Sequence, residues 1–118
     1  MKKALLVLAL GVLGSQMAMA ESIICQSRDE KVTIELGVID GDIRGALVTG
    51  TESENADIMV METVRTDASL KVMMLDLTNA KGLELNVAGE NQKLAGTLTD
   101  MGAPGNAATE YAVTCEVK

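Results

Sequence analysis

Cys25 and Cys115 are the residues best suited to covalent or metal-binding chemistry, and they lie near opposite ends of the sequence. Their spacing fits neither a CxxC redox motif nor a zinc-binding cluster. In an exported chain, two cysteines usually form one structural disulfide. Closing a loop of about 90 residues would stabilise the fold by roughly 4–5 kcal/mol. We therefore expect a disulfide that joins the first strand of the mature domain to the last.

Four methionines, Met59, Met61, Met73 and Met74, are a second candidate for chemistry, because thioethers are soft ligands suited to Cu(I). If Asp67-Ala68 forms a hairpin loop, Met61 faces Met74. The chain has no Phe and no Trp, so Met is also needed as an adaptable core filler. We prefer core packing or an apolar contact surface over a metal site. A Cu(I) carrier stays the alternative.

The longest predicted connection, Thr99–Thr109, is a candidate for partner recognition, since long loops in small domains are often functional. If Met59 and Met61 point outward, they add an apolar stripe to the surface. The candidate partner-binding residues are Met59, Met61, Met101, Pro104 and Asn106.

Catalytic motifs are missing from the sequence. There is no histidine, which excludes Ser-His-Asp and Cys-His systems and His-ligated zinc. There is no GxSxG, P-loop or GxGxxG pattern. A glycosidase could work with carboxylates alone, but Tyr111 is the only aromatic residue available to stack on a sugar. We expect a non-enzymatic protein without a cofactor.

Residues 1–20 have the three parts of a secretory signal peptide. Lys2 and Lys3 form the positive start, ALLVLALGVLG forms the apolar segment, and Ala18-Met19-Ala20 is a small-x-small cleavage site. The apolar run has about eleven residues, whereas a membrane-spanning helix needs about 20. We expect cleavage near Ala20, a periplasmic or secreted location, and one mature domain, residues 21–118, that is not embedded in a membrane.

The mature chain is acidic. Loss of Lys2 and Lys3 leaves 8 basic residues against 17 acidic ones, a net charge of −9. This charge repels nucleic-acid phosphates and anionic membranes. It is compatible with a protein partner, and among proteins it favours a basic one.

Short runs of alternating apolar and polar residues predict β-strands. KVTIEL places Val32, Ile34 and Leu36 on one face, and YAVTCEV places Cys115 among inward residues. Asp40-Gly41 favours a type I′ hairpin turn. LKVMMLDL breaks the alternation, which predicts either a β-bulge near Val72-Met73 or a strand buried on both faces.

These runs and turns predict an all-β domain of about eight strands. The predicted strands span residues 22–27, 31–38, 42–49, 57–65, 69–77, 82–88, 93–99 and 109–117. A disulfide between the end strands favours a small antiparallel up-and-down barrel, in which those strands are neighbours. A β-sandwich is the alternative.

The layout of signal peptide, all-β domain and stapling disulfide resembles that of small exported lysozyme inhibitors. Those inhibitors enter the lysozyme cleft with a Ser-Gly-x-x-Tyr loop. The nearest stretch here is AATEY, Ala107–Tyr111, which has neither the serine nor the glycine. The resemblance therefore covers layout only, and no inhibitory residue is carried over.

Together these observations predict an exported binding or inhibitor-like module that acts through loops and a Met-bearing hairpin. The alternatives are a Cu(I) or small-ligand carrier, which would need an unfilled interior, and an accessory envelope protein.

Overall fold

The computed structural model describes residues 20–90 and 93–118, and its eight described elements are all strands. The strands are β1 (Ala20–Ser27), β2 (Thr33–Ile39), β3 (Asp42–Thr49), β4 (Ile58–Arg65), β5 (Ser69–Asp76), β6 (Lys81–Glu90), β7 (Lys93–Asp100) and β8 (Thr109–Val117). Each observed boundary lies within two residues of the predicted one.

The strands form one antiparallel sheet that curls into a nearly closed up-and-down barrel. The sheet order is β3-β2-β1-β8-β7-β6-β5-β4, so every strand pairs with its sequence neighbours except at the step from β3 to β4. Those two strands approach each other, but no ladder of backbone pairs joins them in the described residues. The predicted all-β barrel is confirmed, and the single sheet excludes the alternative sandwich.

The disulfide joins Cys25 to Cys115 as predicted. The two residues lie directly opposite each other in the β1–β8 ladder, with their Cα atoms 3.9 Å apart. Both side chains are buried in the core. The bond therefore fixes the pairing between β1 and β8, which joins the first three strands of the sheet to the other five. A disulfide of this kind is typical of an oxidising, extracellular compartment.

Inward-facing side chains fill the barrel. The predicted inward residues of KVTIEL, which are Val32, Ile34 and Leu36, are buried, as is Val113 of β8. Asp40 and Gly41 both have positive φ and form the two-residue link between β2 and β3, as a type I′ turn requires. The alternating pattern and the turn therefore set which face of each strand enters the core.

The prediction of a bulge near Val72-Met73 is wrong. In β5 the alternation continues through Leu70, Val72, Met74 and Asp76, all of which are buried. The irregularity lies instead in the partner strand, where the β4–β5 register shifts between Val60 and Glu62. The apolar residues of the opposite phase in β5, Met73 and Leu75, are only half-buried on the outer face, so the strand is not buried on both faces as the alternative required.

The predicted signal peptide lies outside the described residues, apart from the backbone of Ala20, which pairs with Ile39. Within the part of the chain that the structure describes, no helix has the length and apolar character needed to cross a membrane.

Candidate functional site

An apolar row crosses the outside of the barrel near one of its ends. Met59 of β4 lies opposite Leu75 of β5, Leu75 lies opposite Gly82 of β6, and Met101 directly follows β7 next to Gly82. The side chains of this row point outward, because alternate residues of a strand face opposite sides and the adjacent residues Met74 and Leu83 are buried. At a strand spacing of about 4.8 Å, the row is about 14 Å long.

Gly82 makes the row continuous, because the side chain of Met101 covers it. A Cβ atom on Gly82 would lie 3.4 Å from Met101 Cγ. Met101 can therefore lie flat against the strand and extend the apolar surface from Leu75 toward β7. It is 39% exposed, so its outer side still faces solvent.

Further apolar side chains border this row. Leu77 and Met61 are exposed, and Met73 is half-buried. All three lie on the solvent-facing side of the β4–β7 part of the sheet, which we call the outer wall. Met61 is the extra residue at the register shift of β4, which leaves it without a partner in β5. We call Met59, Met61, Met73, Leu75, Leu77 and Met101 the apolar patch. A contiguous apolar surface of this kind is typical of a contact site for another molecule.

A row of acidic residues lies beside the apolar patch. Reading across the ladders, Glu62 is opposite Met73, Met73 is opposite Glu84, Glu84 is opposite Thr99, and Thr99 is opposite Glu110. Two residues along a strand correspond to about 7 Å, so this row runs next to the apolar row. We call Glu62, Glu84 and Glu110 the acidic row.

The outer wall therefore combines apolar contact area with negative charge. Lys71 borders the acidic row, with its Nζ 3.4 Å from Glu84 Oε2. Arg44 and Arg65 line the same cleft as Glu62. Asp57, whose carbonyl accepts a hydrogen bond from the Leu77 amide, adds a further carboxylate on the other side of the patch. An apolar centre with a negative border is complementary to a positively charged surface that has its own apolar centre.

The predicted candidates fall in different places. Met59 and Met61 are exposed on the outer wall, as the partner hypothesis requires. Met101 belongs to the same wall, whereas Pro104 and Asn106 are exposed at the tip of the β7–β8 loop. The backbone N–H of Asn106 donates a hydrogen bond to the carbonyl oxygen of Ala103, which closes a turn in the loop. Only part of the predicted loop therefore joins the hairpin methionines in one surface.

The methionines do not assemble as expected for a four-thioether site. Val60, not Met61, lies opposite Met74, because of the register shift in β4. Met74 points into the core and is 3% exposed, whereas Met59, Met61 and Met73 lie on the outer wall. Among the described residues, no group of three or more His, Cys, Asp or Glu side chains is arranged to hold a metal ion either.

The end of the barrel beside the apolar patch is closed by a buried polar cluster that was not predicted from the sequence. Lys81 Nζ donates to Asp100 Oδ2 at 2.8 Å and to Glu52 Oε1 at 2.7 Å. Lys81 begins β6 and Asp100 ends β7, both in the inward phase. The two carboxylates outweigh the burial of Lys81, which alone would lower its pKa, and raise that pKa above its ordinary value.

Asp76 is the centre of a second group of buried hydrogen bonds at the closed end of the barrel. It accepts hydrogen bonds from Ser53 Oγ at 2.6 Å and from Asn79 Nδ2 at 2.8 Å. Burial alone would raise the pKa of Asp76, but these bonds favour the carboxylate and hold the pKa below its ordinary value. The hydrogen bond from Ser53 and the contact between Glu52 and Lys81 fasten the β3–β4 loop across the barrel end. The cluster is thus a structural seal.

The opposite end of the barrel is more open. Arg65 at the end of β4 reaches Glu21 of β1, with Nη2 and Oε1 3.0 Å apart. Beneath them is a cleft of about 450 Å³ whose apolar lining includes Ile23, Leu94 and Val117. A cleft of about 400 Å³ follows the seam between β3 and β4. Beyond these clefts, the described inward-facing side chains form the buried apolar core.

No protein-family model, no curated protein sequence and no solved structure matches this chain.

Proposed function

We propose that the chain is an exported, non-enzymatic binding module that docks a basic protein on its outer wall. The observation that carries this proposal is the apolar row from Met59 to Met101 with the acidic row beside it. Exposed apolar side chains supply contact area, and the carboxylates select the charge of the partner.

Methionine suits such a surface. Its unbranched side chain adapts to irregular shapes, and Met-rich surfaces re-pack against different partners. Of the five methionines after residue 20, four belong to the apolar patch and only Met74 lies in the core. A chain without Phe or Trp thus places most of its mature methionines where a partner can reach them.

Charge supports a basic partner over a second copy of the same chain. With a mature net charge of −9, two copies repel each other, and facing acidic rows would add to that repulsion. A partner with Lys or Arg around an apolar centre would pair with Glu62, Glu84 and Glu110. Encounter between the two proteins should then be fast at low salt and slower at high salt.

Export is part of the proposal. The signal-peptide pattern of residues 1–20 and the Cys25–Cys115 disulfide both support an oxidising compartment outside the cytoplasm. N-terminal sequencing of the protein purified from the producing cells tests this point. We expect Glu21 as the first residue, and a chain that begins with Met1 would contradict export by this route.

Site-specific photo-cross-linking tests where the partner binds. A photoreactive residue at Met59 and, separately, at Ile39 compares two sites of similar exposure, 42% and 44%, of which only the first lies in the apolar patch. After incubation with extract and irradiation, we expect one dominant adduct at Met59, formed with a protein of positive net charge, and none at Ile39. Equal adducts at both sites, or none at Met59, would contradict the proposal.

A further inference from the structure

The exposed thioethers of the apolar patch are positioned to react with an oxidant. The consequence for partner binding that is inferred below rests on the docking proposal above. Met61 is 58% exposed, and Met59 and Met101 are exposed as well, whereas Met74 is 3% exposed. The four side chains differ in environment but not in chemistry. Dissolved oxidants should therefore reach the first three much sooner than the fourth.

The composition leaves methionine as the main target for peroxide. Both cysteines are held in the disulfide, and the sequence has no histidine and no tryptophan. No free thiol is present to react first. In an oxidising compartment, the patch methionines are thus the most readily oxidised side chains of the mature domain.

We infer that Met59, Met61 and Met101 form a peroxide-sensitive switch, in which their conversion to sulfoxides releases the partner from the outer wall. Hydrogen peroxide transfers one oxygen atom to the thioether sulfur. The peroxide O–O bond breaks, an S–O bond forms and water leaves, so the sulfur loses two electrons that the peroxide gains. A thiol-dependent reductase can reverse the change.

The position of these residues explains why oxidation would act on binding and leave the fold intact. A sulfoxide is polar, and three of them would interrupt the apolar row at Met59 and Met101 and its border at Met61. Their outer sides already face solvent, so the new polar groups stay hydrated and cost the folded state little. The core, including Met74, keeps its packing.

The first arm of the test measures selectivity on the folded protein, without any partner. The protein is treated with hydrogen peroxide, the reaction is stopped with catalase, and each methionine is followed by peptide mass spectrometry. We expect oxidation at Met59, Met61 and Met101 to be at least about tenfold faster than at Met74, with the β-sheet circular dichroism unchanged. Comparable rates at Met74, or unfolding during treatment, would overturn the inference.

The second arm measures docking with a photoreactive residue at Leu77, which lies in the patch but is not a methionine. Treated and untreated protein are each incubated with extract after catalase has removed the peroxide. We expect the adduct at Leu77 to fall at least about fivefold after oxidation. For the triple variant Met59→Leu, Met61→Leu, Met101→Leu, treated and untreated protein are compared with each other, and we expect equal adducts because Leu does not react with peroxide.

The outcomes separate the two proposals. If protein with the three native methionines oxidised to sulfoxides gives an unchanged adduct at Leu77, the switch is overturned, whereas the docking proposal is not contradicted. Equal loss of the adduct in the triple Leu variant would also overturn it, since the effect would not come from these sulfurs. An untreated protein that gives no adduct at Leu77 would contradict the docking proposal, and the switch would fall with it.

Discussion

Lys81 and Asp100 form a buried ion pair at the closed end of the barrel, with Nζ and Oδ2 2.8 Å apart and only 2% of the Lys81 side chain exposed. The pair joins the start of β6 to the end of β7, and Glu52 from the β3–β4 loop completes it. A buried ion pair is costly to break on one side only, because the remaining charge loses its partner without regaining water.

Replacing Lys81 alone should therefore destabilise the barrel strongly. We expect Lys81→Met to lower the free energy of unfolding by about 3–5 kcal/mol, since Asp100 is left as a buried, unpaired carboxylate. The double variant Lys81→Met, Asp100→Asn should recover much of the loss. Glu52→Gln is the matched control, because Glu52 is largely exposed and its contact should contribute at most about 1 kcal/mol.

Urea denaturation of the four proteins measures these differences. A Lys81→Met variant as stable as wild type would show that the seal does not depend on the ion pair. A double variant no better than the single one would show that packing of the Lys81 chain, and not its charge, is what matters.

Asp76 should make the barrel sensitive to acid. Its pKa is lower in the folded protein than in the unfolded chain, so the carboxylate contributes stability at pH values above the unfolded pKa of about 3.9. This contribution is lost as the pH falls through the still lower folded pKa. In Asp76→Asn the group no longer titrates, so we expect a weaker fall in urea midpoint between about pH 4 and pH 2. Identical acid profiles for both proteins would contradict this role.

The disulfide should carry a large share of the stability. It closes a loop with a sequence separation of 90 residues. Cys25→Ala, Cys115→Ala should therefore lower the free energy of unfolding by roughly 4–5 kcal/mol. Because β1 and β8 would lose their covalent link, amide hydrogen exchange should increase most in those strands. Exchange that increases mainly in β4 and β5 would show that the barrel opens at the β3–β4 seam instead.

The hairpin methionines should separate into surface and core residues. We expect Met59→Lys and Met61→Lys to change the free energy of unfolding by less than about 0.5 kcal/mol, because both side chains face solvent. Met74→Lys should prevent stable folding, because it places a charge in the apolar core. Thermal melts followed by circular dichroism measure both effects. A collapse of the Met59→Lys melting temperature would place that residue in the core.

The alternation of apolar and polar residues in KVTIEL and YAVTCEV predicts these two strands and their inward faces, and Asp40-Gly41 predicts the turn between β2 and β3. The disulfide is predicted by a different observation, the presence of two cysteines in a chain with a signal-peptide pattern. The same rule contained a signal for the closed end, since Asp76, Lys81 and Asp100 occupy the inward phase at strand ends. That signal is ambiguous in the sequence alone, because charged residues are mostly exposed in proteins and the contacts with Glu52 and Ser53 depend on the path of the β3–β4 loop.

The outer rows could not be predicted from single strands. Placing Met59 beside Leu75 and Gly82 requires the register of two ladders, and a shift of one residue would move each side chain to the other face. The register shift at Met61 has no clear signature in IMVMETVR. It separated Met61 from Met74 and so removed the geometry on which the four-methionine site depended.

If the acidic row selects a basic partner for the outer wall, removing its charges should weaken docking, whereas removing the same number of charges elsewhere on the barrel should not. Adduct formation is measured at low salt in three proteins that each carry a photoreactive residue in place of Leu77. The first has no other change. The second is the acidic-row triple variant Glu62→Gln, Glu84→Gln, Glu110→Gln, and the third is the control triple variant Glu35→Gln, Asp67→Asn, Glu116→Gln. Both triple variants change the net charge equally. We expect the acidic-row variant to lose about tenfold in apparent affinity, near 1.4 kcal/mol, and the control to keep its adduct with the same positively charged protein. Equal losses in the two triple variants, or an adduct with an acidic protein, would show that the acidic row does not select the partner.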